Sequence, residues 1–276
     1  MNIQLLYYSG AGNTKFITNI IEKSLIKKNH NVKSIRITEN SIMSLENDFD
    51  VLYLGFPIIF RDAPKLVYKV LEKLPGKNRP IMIFSTKGLY SGNAFKYIHK
   101  KSLNNNYIPI GFINLLMPGT DLLTSVVKEN SFSEKLFTKI YNRNIVKKIN
   151  KFIEKMEKNK PIKKVYTKWY TIFDNLIVKK IEIKVDNDHK DWIKDFTVNN
   201  EKCNQCMKCI NGCPRNNINL KNGITFEMNC DVCLFCINNC PNHAINISDK
   251  TVGKLKYSEE KIQTIFKYEL EKQNGI

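Results

Sequence analysis

At 276 residues, with 44 Lys and Arg against 26 Asp and Glu, the chain carries a formal charge of +18. That length allows one domain with a full core and a smaller second unit. Its longest apolar runs, around 51–60 and 108–117, are too short to span a bilayer, and grouped free cysteines argue against a secreted, disulfide-bonded protein.

The chain opens on a strand-length apolar run, Ile3-Gln4-Leu5-Leu6-Tyr7-Tyr8, with no charged leader, so a cytoplasmic protein is expected. Ser9-Gly10-Ala11-Gly12-Asn13-Thr14 follows, and then Phe16, Ile17, Ile20, Ile21 and Leu25 recur at helical spacing. A strand, a small-residue loop and a helix point backbone N–H groups at a phosphate. The loop lacks the Gly-Lys-Ser/Thr ending of a Walker motif and the full dinucleotide pattern.

Strands are predicted over 32–37, 50–56, 81–85 and 108–114, and helices over 65–74, 94–103 and 131–158. The last helix is expected to turn Leu136, Ile140, Ile145, Ile149 and Phe152 inward. Alternating strands and helices argue a parallel sheet covered on both faces, with any ligand beyond the carboxyl ends of the strands. Three segments lie at those ends: 9–14, 55–60 and 86–92. His99 is expected on a helix surface, and neither it nor His243 reads as a catalyst.

Residues 161–198 contain no glycine and carry Val165, Trp169, Tyr170, Ile172, Phe173, Leu176, Ile177, Ile181 and Ile183, which suits a packed connector better than a flexible linker. Much of the excess charge lies between 147 and 184, where Lys147, Lys148, Lys151, Lys155, Lys158, Lys163, Lys164, Lys179 and Lys180 alternate with apolar residues as on a solvated face. No motif of nucleic-acid recognition accompanies these lysines, so no nucleic-acid partner is expected.

All eight cysteines fall in the next stretch, twice in one rhythm: Cys203, Cys206, Cys209, Cys213-Pro214, then Cys230, Cys233, Cys236, Cys240-Pro241. This is the bacterial iron–sulfur run, whose fourth cysteine ligates the other cluster. Two 4Fe–4S clusters are therefore expected, one on Cys203, Cys206, Cys209 and Cys240, the other on Cys213, Cys230, Cys233 and Cys236. Structural zinc is the competing reading, but zinc ribbons use two pairs rather than two triplets each followed by Cys-Pro. Ile210 matches Ile237 and Ile218 matches Ile245 at a constant offset, as do Asn211 with Asn238 and Asn219 with Asn246; the isoleucines are expected to shield the clusters. One more amphipathic helix is predicted over 257–270, docking on the body.

The first six-residue loop resembles the phosphate loop of flavodoxins. Gly55-Phe56-Pro57-Ile58 with Pro64, and Thr86-Lys87-Gly88-Leu89-Tyr90-Ser91-Gly92, resemble their two flavin-contacting loops. Joined to the double cysteine run, the chain resembles the EFR-type flavodoxin–ferredoxin fusion proteins. The resemblance implies a flavodoxin-like doubly wound parallel five-stranded sheet in 1–160, a connector in 161–198, a small α+β bacterial ferredoxin-like two-cluster domain in 199–247 and a helical tail in 248–276. It implies FMN, with Ser9, Gly10, Ala11, Gly12, Asn13 and Thr14 at the phosphate. Pro57, Ile58 and Phe60 would lie at the ring edge or face, and Thr86, Lys87, Gly88, Tyr90 and Gly92 at its polar side. Ala11 stands where flavodoxins usually have a hydroxyl, a loss of roughly 1.5–3 kcal/mol at most. The implied role is single-electron transfer among the clusters, FMN and low-potential donor and acceptor proteins, acidic partners suiting the basic surface. A flavin-dependent reductase of a small molecule and a redox-sensing module are the alternatives.

Overall fold

The computed structural model describes residues 1–88, 91–120, 126–141, 144–163 and 192–274. Five strands, β1 (Asn2–Tyr7), β2 (Asn31–Arg36), β3 (Val51–Pro57), β4 (Arg79–Lys87) and β5 (Tyr107–Leu116), form one parallel sheet in the order β2-β1-β3-β4-β5. This is the doubly wound flavodoxin-like order, whose reversal of winding opens a ligand crevice beyond the ends of β1 and β3. Six consecutive residues of β3, from Val51 to Phe56, are buried, because helices cover both faces of the sheet.

Alternate strand residues feed two cores. Ile3, Leu5, Val51, Tyr53, Met82 and Phe84 face α1 (Asn13–Lys27), whereas Leu6, Tyr8, Leu52, Leu54, Ile81 and Ile83 face the opposite side. There α2 (Glu39–Met43), closed at its start by a Thr38–Ser41 capping box, α3 (Lys65–Lys73) and α4 (Ala94–Asn104) complete the layer.

The helix predicted over 131–158 is two helices, α5 (Phe132–Tyr141) and α6 (Ile145–Lys158). Asn144 breaks it by taking the left-handed conformation (φ 53°) that asparagine tolerates and a helix interior does not. Ile145, Ile149 and Phe152 are buried as expected, but Leu136 is 53% exposed. The side chain of Ile140 and nearly all of the predicted connector, 164–191, lie outside the described residues. His99 is buried rather than superficial, and its Nε2 lies 2.9 Å from the Ile162 carbonyl oxygen.

The cysteine-bearing region begins with β6 (Phe196–Val198) and continues through α7 (Lys208–Asn211), β7 (Ile218–Lys221), β8 (Gly223–Phe226) and α8 (Phe235–Asn238) to β9 (Ile245–Ile247). β6 pairs antiparallel with β9, and β7 with β8. A 3₁₀ turn (Ser248–Thr251) leads back to the body. The predicted tail helix is again two, α9 (Glu259–Ile265) and α10 (Lys267–Asn274), and Leu255, Tyr257, Ile262 and Phe266 are buried in the α1 core.

Candidate functional site

The carboxyl end of β1 delivers Tyr8 and then the loop 9–14. Gly12 occupies φ +118° as the N-cap of α1, a conformation that disfavours any L side chain. Gly10, Ala11, Gly12 and Thr14 are buried, and among the described residues no acceptor meets the backbone N–H groups of 10–14. The Asn13 Oδ1 is likewise buried without a partner, while its Nδ2 donates to Pro118 O at 2.9 Å. Unmet donors at a helix N-terminus are the groups that meet an anion such as a phosphate, and here Cys233 O covers Gly10 while Glu259 and Ile262 of α9 cover Gly12. The two hydroxyls of the loop are engaged within the protein: Ser9 Oγ accepts from Lys15 N–H, and Thr14 Oγ1 lies 2.9 Å from Thr86 Oγ1.

At the end of β3, Pro57 pairs with Thr86, and Ile58 N–H donates to Thr86 O. Phe60 and Arg61 both have positive φ, reversing the chain between Ile59 and Asp62. Phe60 turns toward the cysteine region, where its ring meets Trp192 edge-on at 5.8 Å. A methyl group on Gly92 would lie 2.5 Å from Arg61, so these two loops are in close contact. Lys87 and Gly88 are half-buried beside Gly119, and Tyr90 lies outside the described residues.

The eight cysteines line two small cavities, four to each. Cys203, Cys206, Cys209 and Cys240 line one, and Cys213, Cys230, Cys233 and Cys236 line the other. The backbone repeats with the sequence at an offset of 27 residues. Left-handed Gln205, Met207 and Asn216 match left-handed Val232, Leu234 and His243, and α7 matches α8. Asn217 N–H points at Cys213 Sγ, and its repeat Ala244 N–H at Cys240 Sγ, both at 3.3 Å. A β-branched residue at positive φ is strained; at Val232 the same turn aims its N–H at Cys230 Sγ at 3.2 Å.

Among the described residues, no three Cys, His, Asp or Glu side chains converge as they would on a single metal ion. A tetrahedral zinc site needs four ligands within about 2.3 Å of one centre. Thiolates of a 4Fe–4S group each meet a different iron, and each quartet supplies four cysteines with at least one amide donor aimed at a sulfur. Ile218, Ile224, Ile237 and Ile245 pack around the cysteines in a separate apolar core.

The two quartets differ in setting. Cys206 is exposed, whereas Cys236 is buried. Burial pushes the Cys230 thiol up to about 12 and that of Cys233 to about 11, and raises Cys236 well above the ordinary value. This inner quartet lies directly on the loop of β1, because a methyl group on Gly10 would fall 2.1 Å from Cys233 O. Arg36 staples the same junction, donating to Ser9 O (3.0 Å) and Gly212 O (2.8 Å) with its guanidinium 4.9 Å over the Phe235 ring.

Arg215 is 8% exposed and pairs with Glu39 of α2 at 2.7 Å and with Asp231 at 3.7 Å. Buried Lys256 donates to Asn246 Oδ1 and Thr251 O, and desolvation lowers its pKa to about 8. Tyr8, Arg36, Arg215, Asp231 and Lys256 were not legible as site residues, since their roles arise from contacts across the sequence. Only Asp231, set between two cysteines, carried a local signal.

No family model matches the chain, and no curated protein matches it. Among solved structures, a flavodoxin from the domain Archaea matches with a TM-score of 0.37 and 16% identity, over 54% of this chain and 99% of its own. A short-chain flavodoxin associated with a non-canonical PDU bacterial microcompartment matches with a TM-score of 0.42 and 13% identity, over 57% and 97%. Flavodoxin 1 from Bacillus cereus matches with a TM-score of 0.39 and 14% identity, over 56% and 98%. Likeness at this level adds nothing to the strand order described above.

Proposed function

We propose that this chain is an electron-transfer protein carrying two 4Fe–4S clusters and FMN, of the flavodoxin–ferredoxin fusion type that its motifs resemble. The observation that carries the reading is the placement of the inner cysteine quartet against the 9–14 loop, with the outer quartet open to solvent at Cys206. Cys203, Cys206, Cys209 and Cys240 would hold the cluster that meets a donor protein, and Cys213, Cys230, Cys233 and Cys236 the one facing the flavin domain. The clusters would supply one-electron steps, and FMN the capacity to handle one or two electrons.

The residues have separable tasks. The N–H groups of 10–14 would receive the FMN phosphate, and the loops at 57–60 and 86–92 would border its ring. Cys236 is buried, and the amide donors at Asn217, Val232 and Ala244 would hold negative charge on sulfur. Lys202 and Lys208 flank the open end of the outer quartet, which suits an acidic protein partner. Among the described residues, no helix is long and apolar enough to cross a membrane.

Protein prepared without air should contain about eight iron and eight acid-labile sulfide per chain and take up one equivalent of FMN. Zinc at about one per four cysteines with no sulfide would overturn the cluster assignment. Failure to bind added FMN would remove the flavin. Anaerobic reduction by a low-potential donor, with flavin and cluster signals followed separately, tests the order. Flavin reduction that needs the clusters supports the relay, and flavin reduction that proceeds without them refutes it.

A further inference from the structure

The two cysteine quartets repeat in sequence, backbone and amide donors, yet one feature breaks their equivalence. Asp231, between ligands Cys230 and Cys233, repeats Asn204, between Cys203 and Cys206. A carboxylate stands where the sister site has a neutral amide. Asp231 is 6% exposed, so solvent screens it poorly. The flavodoxin-like domain answers this charge with Tyr8. The Tyr8 side chain is fully buried and fixed by its own backbone N–H bond to Gly55 O at 2.8 Å. Its hydroxyl lies 3.3 Å from Asp231 Oδ2, and the Cys233 side chain packs against the core that holds Tyr8.

We propose that Tyr8 and Asp231 form a tuning pair that sets the reduction potential of the inner cluster independently of the outer one. The inference rests on the cluster reading above. Reduction adds one negative charge to a cluster and its thiolates. A donor to a ligating sulfur stabilises that charge, and a buried carboxylate beside it opposes the charge. The phenolic proton serves the reduced state by drawing charge from Asp231 beside Cys233. Arg215, with Nε 3.7 Å from Asp231 Oδ1, offsets the carboxylate at its other oxygen and is itself divided with Glu39. Tyr8 is thus a positioning residue supplied by β1, so the domain that would accept the electron also adjusts the site that would deliver it.

The test is an anaerobic redox titration of the full holoprotein, resolving both cluster signals by electron paramagnetic resonance. Tyr8→Phe, which keeps the ring, should move one cluster to a more negative potential with iron and sulfide content unchanged. Asp231→Asn should move the same cluster to a more positive potential and so tests the pair even where Tyr8→Phe fails to fold. Asn204→Asp copies the charge to the sister position and should shift the other signal negative, identifying it as the outer cluster. The tuning pair is refuted if Asp231→Asn leaves both potentials in place, or moves both clusters equally. A wild-type protein free of iron and sulfide would instead defeat the cluster reading itself, and the tuning pair with it.

Discussion

The thiols at the inner site illustrate how a side chain's surroundings decide its chemistry. Without metal, Cys230, Cys233 and Cys236 remain protonated in the folded chain at pH values where the unfolded chain has begun to ionise near pH 9. Their contribution to stability is complete below pH 9, and that of Cys233 and Cys230 is lost as pH rises toward 11 and 12 respectively. Lys256 acts in the opposite sense. Its folded pKa of about 8 against an ordinary 10.5 gives a penalty that is relieved between those values. Above pH 10.5 that relief is complete and the thiol loss continues, joined by Tyr8, Tyr53, Tyr68 and Tyr107, which burial also holds protonated beyond the ordinary tyrosine value of 10. The Tm of the metal-free protein should therefore fall most steeply beyond pH 10.5, and a flat profile from 9 to 11 would contradict the burial of these thiols. The cysteines themselves were legible because ligand spacing is a local property of sequence. The phenol, carboxylate and guanidinium around them were not, since Tyr8 and Asp231 are 223 residues apart.

Among the elements, periodicity located the sheet strands and their covering helices to within a few residues. It failed where an apolar pattern ran on through a break. Both helix 131–158 and helix 257–270 split, the first at left-handed Asn144, the second at Phe266, which caps α9 and precedes α10. Short α2 escaped notice because five residues give too few turns for a pattern. The split tail still anchors firmly. Phe266 is fully buried with its ring 5.1 Å from that of Phe16, and Ile262 is 1% exposed. Phe266→Ala should cost about 3–5 kcal/mol in a denaturant titration of the whole chain. A loss below about 1 kcal/mol would mean that the tail contributes little to the α1 core.

Across the whole molecule, the two units meet through fixed polar contacts. Glu39 N–H bonds Pro214 O at 2.9 Å, Asn216 Nδ2 bonds Asn40 Oδ1 at 2.8 Å, and Arg215 sits between Glu39 and Asp231. Removing one member of a buried ion pair leaves its partner uncompensated and costs about 3–5 kcal/mol. Arg215→Ala should lower Tm and expose the junction to protease, and an unchanged proteolytic pattern would show that the clamp is dispensable. None of this junction could be read from motifs, which specify each unit separately and say nothing of how they join.

One consequence follows from the path of the chain. The polypeptide leaves the body after α6, builds the cysteine unit, and comes home with α9 and α10 to close the wall over α1. A stop codon after residue 160 would strip away that wall and leave Phe16 and its neighbours bare. Excision of 196–254, rejoined by a short graft, would keep it. The gene is thus a carrier with a guest sewn into it, and only the second cut should return a soluble host.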